Sequence, residues 1–458
     1  MAEPGATHDL LHAMVLRVIS ACDAFELTRA ALIDHELSRD PRPWAILSVG
    51  KAARAMLNAV NASRPAHAPD WYRDIGPIGS GCAMEADHPI PGRASLDAGL
   101  AISAWALSMG EARGPDAPAG LVLALSGGAS SLMCLPAGEL TLDEYAACVR
   151  TLMRAGASIN ELNCVRRHID ALKGGQLALC AGDMPIHVLA LSDVVGDVIE
   201  TIGSGPCSPD PTTYAQAIEV IERLGVWFDC PRVMAHLERG ARGEIPETPK
   251  PNDARLARVR TRLVGSNATA VEAARRACEA AGYTIDRVEL GVVGEARKVG
   301  EELARHAASW AKANPTLADP SRRQNFAKRR AIVLGGETHV RVRGSGFGGR
   351  NQELALAAAI ELDRAGVGAR VTIMTLATDG VDGSHPLGLS PAAGAIVDGE
   401  TIARATRADL DACTMLDDNN AYAFFAELDR ATGARAHVVT GATGTNVCDV
   451  TVVLIDSA

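Results

Sequence analysis

Lys51 and Arg350 are the two cations whose sequence surroundings suggest chemistry. Residues 44–49, an apolar run, read as a buried strand. Gly50-Lys51-Ala52-Ala53 follows directly and opens a helix to about Val60. A lysine at such a junction stands where phosphates bind, because the helix N-terminus and the ammonium favour the same anion. The segment is not a P-loop: the upstream glycine is missing and Ala52 stands where that motif has Ser or Thr. On position alone, a solvated helix-start lysine is an equal reading. Arg350 closes the loop Gly344-Ser345-Gly346-Phe347-Gly348-Gly349, entered through Ala331–Leu334 and Val340–Arg343, which both read as strands. Leu354–Leu362 behind it reads as helix. Backbone N–H groups at Gly346, Gly348, Gly349 and Asn351 can approach an anion closely, and the guanidinium adds a fork suited to phosphate or carboxylate. By itself such a loop is a hairpin and turn by roughly two to one.

Other stretches shift that balance. The strand-like Leu121–Leu125 runs into Ser126-Gly127-Gly128-Ala129-Ser130-Ser131, a second glycine loop whose backbone and hydroxyls suit a phosphate or carboxylate. Asp193 follows the strand-like His187–Leu191, Glu337 follows Ala331–Leu334, and Asp379 and Asp382 follow Val371–Leu376. Acids at strand ends are the hard oxygen ligands Mg²⁺ takes, few per ion, with phosphate and water completing the shell. Cations, glycine loops and metal-type acids together are the equipment of phosphoryl transfer. His88, alone in the proline-rich loop 83–92, reads as structural.

These groups need elements to hold them. Strands alternate with helices along the chain, which predicts an α/β protein of largely parallel sheets flanked by helices. Thr141 with Glu144 three residues on predicts a capping box. The polar, proline-bearing stretch 240–252 reads as a seam, giving domains 1–240 (Lys51 and the Ser126–Ser131 loop) and 253–458. Ala313–Arg330 reads as an exposed basic loop. The chain has 458 residues, 47% hydrophobic and 22% charged, with a net charge of −10. That charge argues against nucleic acid or an anionic membrane as partner. No apolar run reaches spanning length and no secretory signal is evident. Eleven cysteines, scattered without a C-x-x-C pair, fit reduced thiols in the cytoplasm.

Six runs carry a resemblance: LSGGASSLMCLPAGELTLDEY (125–145), INELNCVRRHIDALKGGQLA (159–178), LSDVVGDVIETIGSGPCSPDPTTY (191–214), GGETHVRVRGSGFGGRNQELALA (335–357), ATDGVDG (377–383) and TGATGTNVCDV (440–450). The chain resembles the glycerate 2-kinase family with a C-terminal MOFRL domain, here about residues 331–455, a family also met under the name hydroxypyruvate reductase. The resemblance implies phosphorylation of D-glycerate by ATP at the 2-hydroxyl, with Mg²⁺ as the expected metal. It further implies two α/β domains with the active site in the cleft between them. The family's catalytic lysine falls on Lys51 and its GGRNQE arginine on Arg350. Ala377, Asn419-Asn420-Ala421-Tyr422, Ala442 and Cys448 depart from the family pattern. The alternative is an NAD(P)H-dependent hydroxypyruvate reductase. Gly344–Gly349 gives G-x-G-x-G-G and lacks the acid about 20 residues on that would take a ribose. Assembly is left open between monomer and homodimer.

Overall fold

The computed structural model describes residues 4–33, 43–63, 72–114, 117–313 and 329–456. The loop expected between Ala313 and Arg330 lies, for residues 314–328, outside them. The chain divides into two compact units, one of Ala24–Gly265 and one of Met1–Asp23 with Ser266–Ala458.

In the first unit, β1 (Ala45–Val49), β2 (Tyr72–Pro77), β3 (Met84–Ala86), β4 (Leu121–Leu125), β5 (Ile186–Leu191) and β6 (Val259–Gly265) form one sheet of order β3-β2-β1-β4-β5-β6. Every pair is parallel. Strands β1, β4 and β5 are buried throughout and read as mostly apolar runs, interrupted by Ser48 in β1 and His187 in β5, as strands covered on both faces do. β2 and β3 were not expected. They carry Arg73, Asp74, Gly76, Pro77 and Glu85, too polar and broken to show a strand period. The helix Leu142–Arg154 starts with the expected box: Glu144 N–H donates to Thr141 Oγ1 at 3.3 Å and Thr141 N–H to Glu144 Oε2 at 2.9 Å.

The seam differs from the one the prolines suggest. Residues 240–252 are tacked onto the first unit: Asp210 N–H donates to the Pro249 carbonyl at 2.7 Å, Thr248 Oγ1 to Asp210 Oδ2 at 2.9 Å, and His168 meets Glu247 at 3.1 Å. β6 then joins the same sheet, so the division falls between Gly265 and Ser266.

The second unit holds β7 (Thr284–Val292), β8 (Arg330–Gly336), β9 (Val371–Ala377), β10 (Gly394–Asp398), β11 (His437–Val438) and β12 (Asp449–Ile455), in order β11-β10-β9-β12-β8-β7. A largely parallel sheet was expected here, but only β7–β8 pairs in parallel. β8 and β9 point the same way, yet the last strand, β12, runs antiparallel between them. Its first residue, Asp449, is therefore opposite both Gly336 and Ala377, at the ends of β8 and β9. The helix Arg350–Ala365 covers the sheet with a nearly all-apolar middle from Leu354 to Ile360. The N-terminal helix Pro4–Ala21 belongs to this unit and buries Thr7, Leu11, Met14, Val15 and Val18, one face at helical spacing. Residues 340–343 form no strand; only His339 bridges to Glu295. Among the described residues, no helix is long and apolar enough to cross a membrane.

Candidate active site

The strand order of the first unit reverses between β1 and β4, because β1 is followed in space by β2 and β3 on one side and by β4 to β6 on the other. Open α/β sheets bind ligands at this reversal, beyond the C-terminal strand ends. The turn after β1 bears Lys51 and the turn after β4 bears Ser126–Ser131, so both sequence candidates sit there. The turns are laced together: Lys51 N–H donates to the Gly127 carbonyl at 2.9 Å, Ser126 N–H to Val49 O at 3.0 Å, and Ala52 N–H to Ser126 Oγ at 3.1 Å. Gly50 takes φ 131°, and a Cβ there would lie 2.1 Å from Ser126 Oγ, so only glycine lets the turns meet.

Three titratable side chains converge on the next two residues. A Cβ on Gly127 would lie 1.9 Å from Asp193 Oδ2. A Cβ on Gly128, whose φ is 85°, would lie 3.0 Å from His88 Cδ2, 3.1 Å from His88 Nε2 and 3.6 Å from Lys51 Cγ. The glycines thus leave room for Lys51, His88 and Asp193 to approach one turn. The serines of this loop do a different job from the one expected. Ser126 is buried and bonded to the β1 turn, Ser130 Oγ pairs with Ser204 Oγ at 2.9 Å, and Ser131 Oγ donates to Pro89 O at 2.5 Å. Their hydroxyls brace the loop.

Below the loop, Lys173 is fully buried. Its Nζ meets Asp170 Oδ2 at 3.1 Å and donates to Met133 O at 2.6 Å, which fixes the end of the short helix Ala129–Leu132. A buried charge survives only when paired and hydrogen-bonded, and both conditions hold.

In the second unit, the ends of β8 and β9 and the start of β12 gather Glu337, Asp379, Asp382, Asp449 and Arg350. Arg350, first residue of its helix, forks onto Asp449 (Nε to Oδ2 2.5 Å, Nη2 to Oδ1 2.9 Å), and Nη2 also meets Glu337 Oε1 at 3.1 Å. Burial disfavours the Arg350 charge, but Asp449, Glu337 and Asp382 outweigh it and hold the guanidinium protonated. Burial pushes Asp449 up to about 7, against the Arg350 fork and with Asp382 and Glu337 adding. Sequence reasoning did not single out Asp449, although it lies in the last of the six motifs.

Asp382 and Asn351 were expected to face metal and ligand. Both are buried, and they bond to each other. Asp382 Oδ1 accepts from Asn351 N and Nδ2 (2.9 and 3.1 Å), and Oδ2 accepts from Gln352 N and Nε2 (2.9 and 3.1 Å). A carboxylate holding four N–H donors at a helix N-terminus is a cap, complementary to the helix dipole. Gln352 Oε1 in turn accepts from His437 Nε2 at 3.0 Å. Asp379 is half-buried, with Oδ1 accepting from Val381 N at 3.0 Å.

The glycine loop also departs from its expected use. Arg343 and Gly344 N–H both donate to Asn419 Oδ1, Ser345 N–H to Asp418 Oδ1, Gly346 N–H to the Asp418 carbonyl and Phe347 N–H to Asn420 Oδ1. A Cβ would lie 2.4 Å from Asp418 Cα at Gly344, 2.6 Å from Asn420 Cα at Gly346 and 2.3 Å from Asp382 C at Gly349. At Gly348, φ is 144° and a Cβ would lie 3.2 Å from Tyr422 N. These glycines let the chain pass against its own backbone, and the N–H groups from 343 to 347 are committed inside the unit. Asn419-Asn420-Ala421-Tyr422, noted above for its departure from the family pattern, is the wall they pack on.

Among the described residues, no group of three or more His, Cys, Asp or Glu side chains is placed to hold a metal ion. A parallel sheet with a lysine and a glycine turn at its order reversal has the plan of a phosphate-handling α/β enzyme. The comparisons narrow that class. The family model described as domain of unknown function DUF4147 matches residues 10–238, and the MOFRL family model matches 330–449. A glycerate 2-kinase of Pyrococcus horikoshii is 34% identical over 82% of this chain and 78% of its own length. An Agrobacterium vitis relative with a hydroxypyruvate reductase name is 34% identical over 96% of this chain and 93% of its own. The crystal structure of a Thermotoga maritima glycerate kinase superposes with a TM-score of 0.77 at 28% identity, covering 98% of this chain and 100% of that one. The chain belongs to the glycerate 2-kinase family, with its DUF4147 and MOFRL regions in that order.

Proposed function

We propose that this chain transfers the γ-phosphoryl group of ATP to the 2-hydroxyl of D-glycerate, giving 2-phosphoglycerate and ADP. The observation that carries the reading is Lys51 against Gly128 at the order reversal of the first sheet, in a chain of this family. Phosphoryl transfer asks the protein for position and positive charge, and an ammonium at this turn supplies both. Arg350 is read as the recogniser of a second anion, a carboxylate or a phosphate. Mg²⁺ fits as an ion that enters with the nucleotide, since it takes few protein oxygens. Asp193 beside Gly127 in the first unit, and separately the half-buried Asp379 in the second, are carboxylates of the kind it takes, and Glu337 would first have to leave Arg350. When bound, the ion neutralises charge on the phosphates. Among the described residues no disulfide joins the cysteines, which suits the cytoplasm, where ATP is supplied.

The reductase reading fails on geometry. The N–H groups that would meet a pyrophosphate at Gly344–Phe347 already donate to residues 418–420, and the turn after β1 reads Gly50-Lys51-Ala52, without G-x-G-x-x-G. The test is ADP release from ATP, Mg²⁺ and D-glycerate, with the product resolved by phosphorus NMR, beside NADH oxidation with hydroxypyruvate. ADP release with 2-phosphoglycerate is expected. Formation of 3-phosphoglycerate, or hydroxypyruvate-dependent NADH oxidation without ADP release, would overturn the reading.

A further inference from the structure

We infer that His88 is the group that takes the proton from the acceptor hydroxyl. The inference rests on the kinase reading above and adds a residue to the same turn.

Its first support is position. The imidazole and the Lys51 stem both reach the space over Gly128, with Nε2 and Cδ2 as the near edge of the ring. The left-handed φ of Gly128 keeps that residue a glycine, so the space stays open. Its second support is the mount. His88 is exposed, yet both neighbours in sequence are held. Asp87 Oδ2 accepts from Ala94 N and Ser95 N (3.0 and 3.4 Å) at the start of the helix Arg93–Glu111, and Asp87 N–H and O both bond Ser95 Oγ at 3.2 Å. A Cβ on Gly92 would lie 2.5 Å from Asp87 Oδ2, so the mount is tight. On the other side, the Pro89 carbonyl accepts from Ser131 Oγ at 2.5 Å. Ser131 belongs to the glycine loop itself, so the loop that would hold the phosphate also fixes the histidine. A histidine present only for packing would be buried against its neighbours. This one is an exposed ring on an anchored loop. The charged groups at the same turn are Lys51, which shares the space over Gly128, and Asp193 at the neighbouring Gly127, with Asp87 on the loop of His88 itself.

The step balances simply. The acceptor O–H bond breaks and its proton goes to His88 Nε2. The acceptor oxygen forms a bond to the γ-phosphorus, the bond from that phosphorus to the β,γ-bridging oxygen breaks, and ADP leaves. The imidazolium then returns its proton to solvent. Imidazole suits this because its ordinary pKa lies near neutrality, where a base both accepts and releases a proton.

The experiment compares wild type with His88→Ala and His88→Gln, using D-glycerate, ATP and Mg²⁺ at several pH values, with and without added imidazole. Both variants should melt as wild type does, because the ring is exposed. His88→Ala should lose ~10²-fold or more in kcat, the usual share of a general base, with KM for ATP unchanged. The acid limb of the wild-type pH profile should disappear, and free imidazole should restore part of the rate in His88→Ala. Turnover within twofold of wild type, or a rise in KM for glycerate with kcat and the acid limb intact, would overturn the assignment while leaving the kinase reading standing. Wild type without activity on glycerate would overturn the kinase reading and this assignment with it.

Discussion

At Gly127 and Gly128 the missing side chains leave room for Lys51, His88 and Asp193; at Gly344, Gly346 and Gly349 they leave room for backbone. Both loops precede a helix, and both are glycine-rich. The difference lies in where the neighbouring donors go. Around the second loop the N–H groups end on Asp418, Asn419 and Asn420, so that loop is a packing device whose product is the placement of Arg350. Around the first, flexible polar side chains arrive from three other strand ends. A glycine count therefore says nothing about ligands until the neighbours of each Cα are known.

The largest effect separates the two turns by where a methyl group would land. In Gly346→Ala the new Cβ meets Asn420 backbone at 2.6 Å, and backbone cannot step aside. The expected cost is about 3 kcal/mol or more, read as a fall of roughly 6 °C or more in the melting transition. In Gly127→Ala the obstacle is the tip of Asp193, which can rotate away. That variant should melt near wild type and lose at least tenfold in kcat, a ratio set by losing one positioned carboxylate. Calorimetry and turnover on the same two samples decide the matter. Equal melting shifts would erase the distinction.

Next in size are the cations. Lys51→Ala should lose ~10²–10³-fold in kcat without a melting shift, the scale of one preorganised donor. Near wild-type turnover would make Lys51 a solvated lysine. Arg350→Lys keeps the charge and loses the fork onto Asp449. The N–H groups of residues 343–347 are committed and leave the loop fewer donors for the anion in its stead. KM for one anionic substrate, ATP or glycerate, should therefore rise along with any fall in kcat. Unchanged constants for both substrates would reduce the second loop to packing alone.

Much of this was legible in the sequence. The buried strands β1, β4, β5 and β9 are short, mostly apolar runs, and the strand-end positions of Lys51, Asp193 and Asp379 follow from them. What stayed hidden depends on pairing between distant segments. Nothing local shows that β12 inserts between β8 and β9, yet that insertion brings Asp449 to Arg350 and puts antiparallel pairs in the middle of the second sheet. Likewise, His88 reads as a lone turn histidine until β3 forms and its loop is carried over Gly128. Asp382 and Asp193 look alike in sequence, since both follow a strand, and only the structure shows that Asp382 caps the helix behind it.

Asparagine at each acid sharpens that last contrast. Asp382→Asn places an amide against N–H groups that all need acceptors, so it should cost about 1–3 kcal/mol of stability and leave the Mg²⁺ requirement unchanged. Asp193→Asn and Asp379→Asn should change stability little and raise the Mg²⁺ concentration needed for half-maximal rate. A Mg²⁺ titration beside urea denaturation separates the cases. If Asp382→Asn shifts the Mg²⁺ curve, Asp382 is a ligand after all.

The smallest effect concerns the two histidines that serve the two turns. His88 is exposed over Gly128, whereas His437 lies behind the second loop and supports Gln352, which supports Asp382. Burial holds His437 down to about 4. Because its folded pKa lies below the unfolded value near 6.5, protonation favours the unfolded chain. The stability it contributes is whole above about 6.5 and is lost as pH falls through about 4. His437→Gln can still donate to Gln352 Oε1 but cannot titrate. At pH 7 the variant should keep wild-type kcat, since the Gln352 contact it serves is retained. Between pH 6.5 and 4 its urea midpoint should fall less than that of wild type. An equally steep fall in both would show that the buried imidazole is not the group being charged, and that the acid sensitivity of this unit arises from other groups.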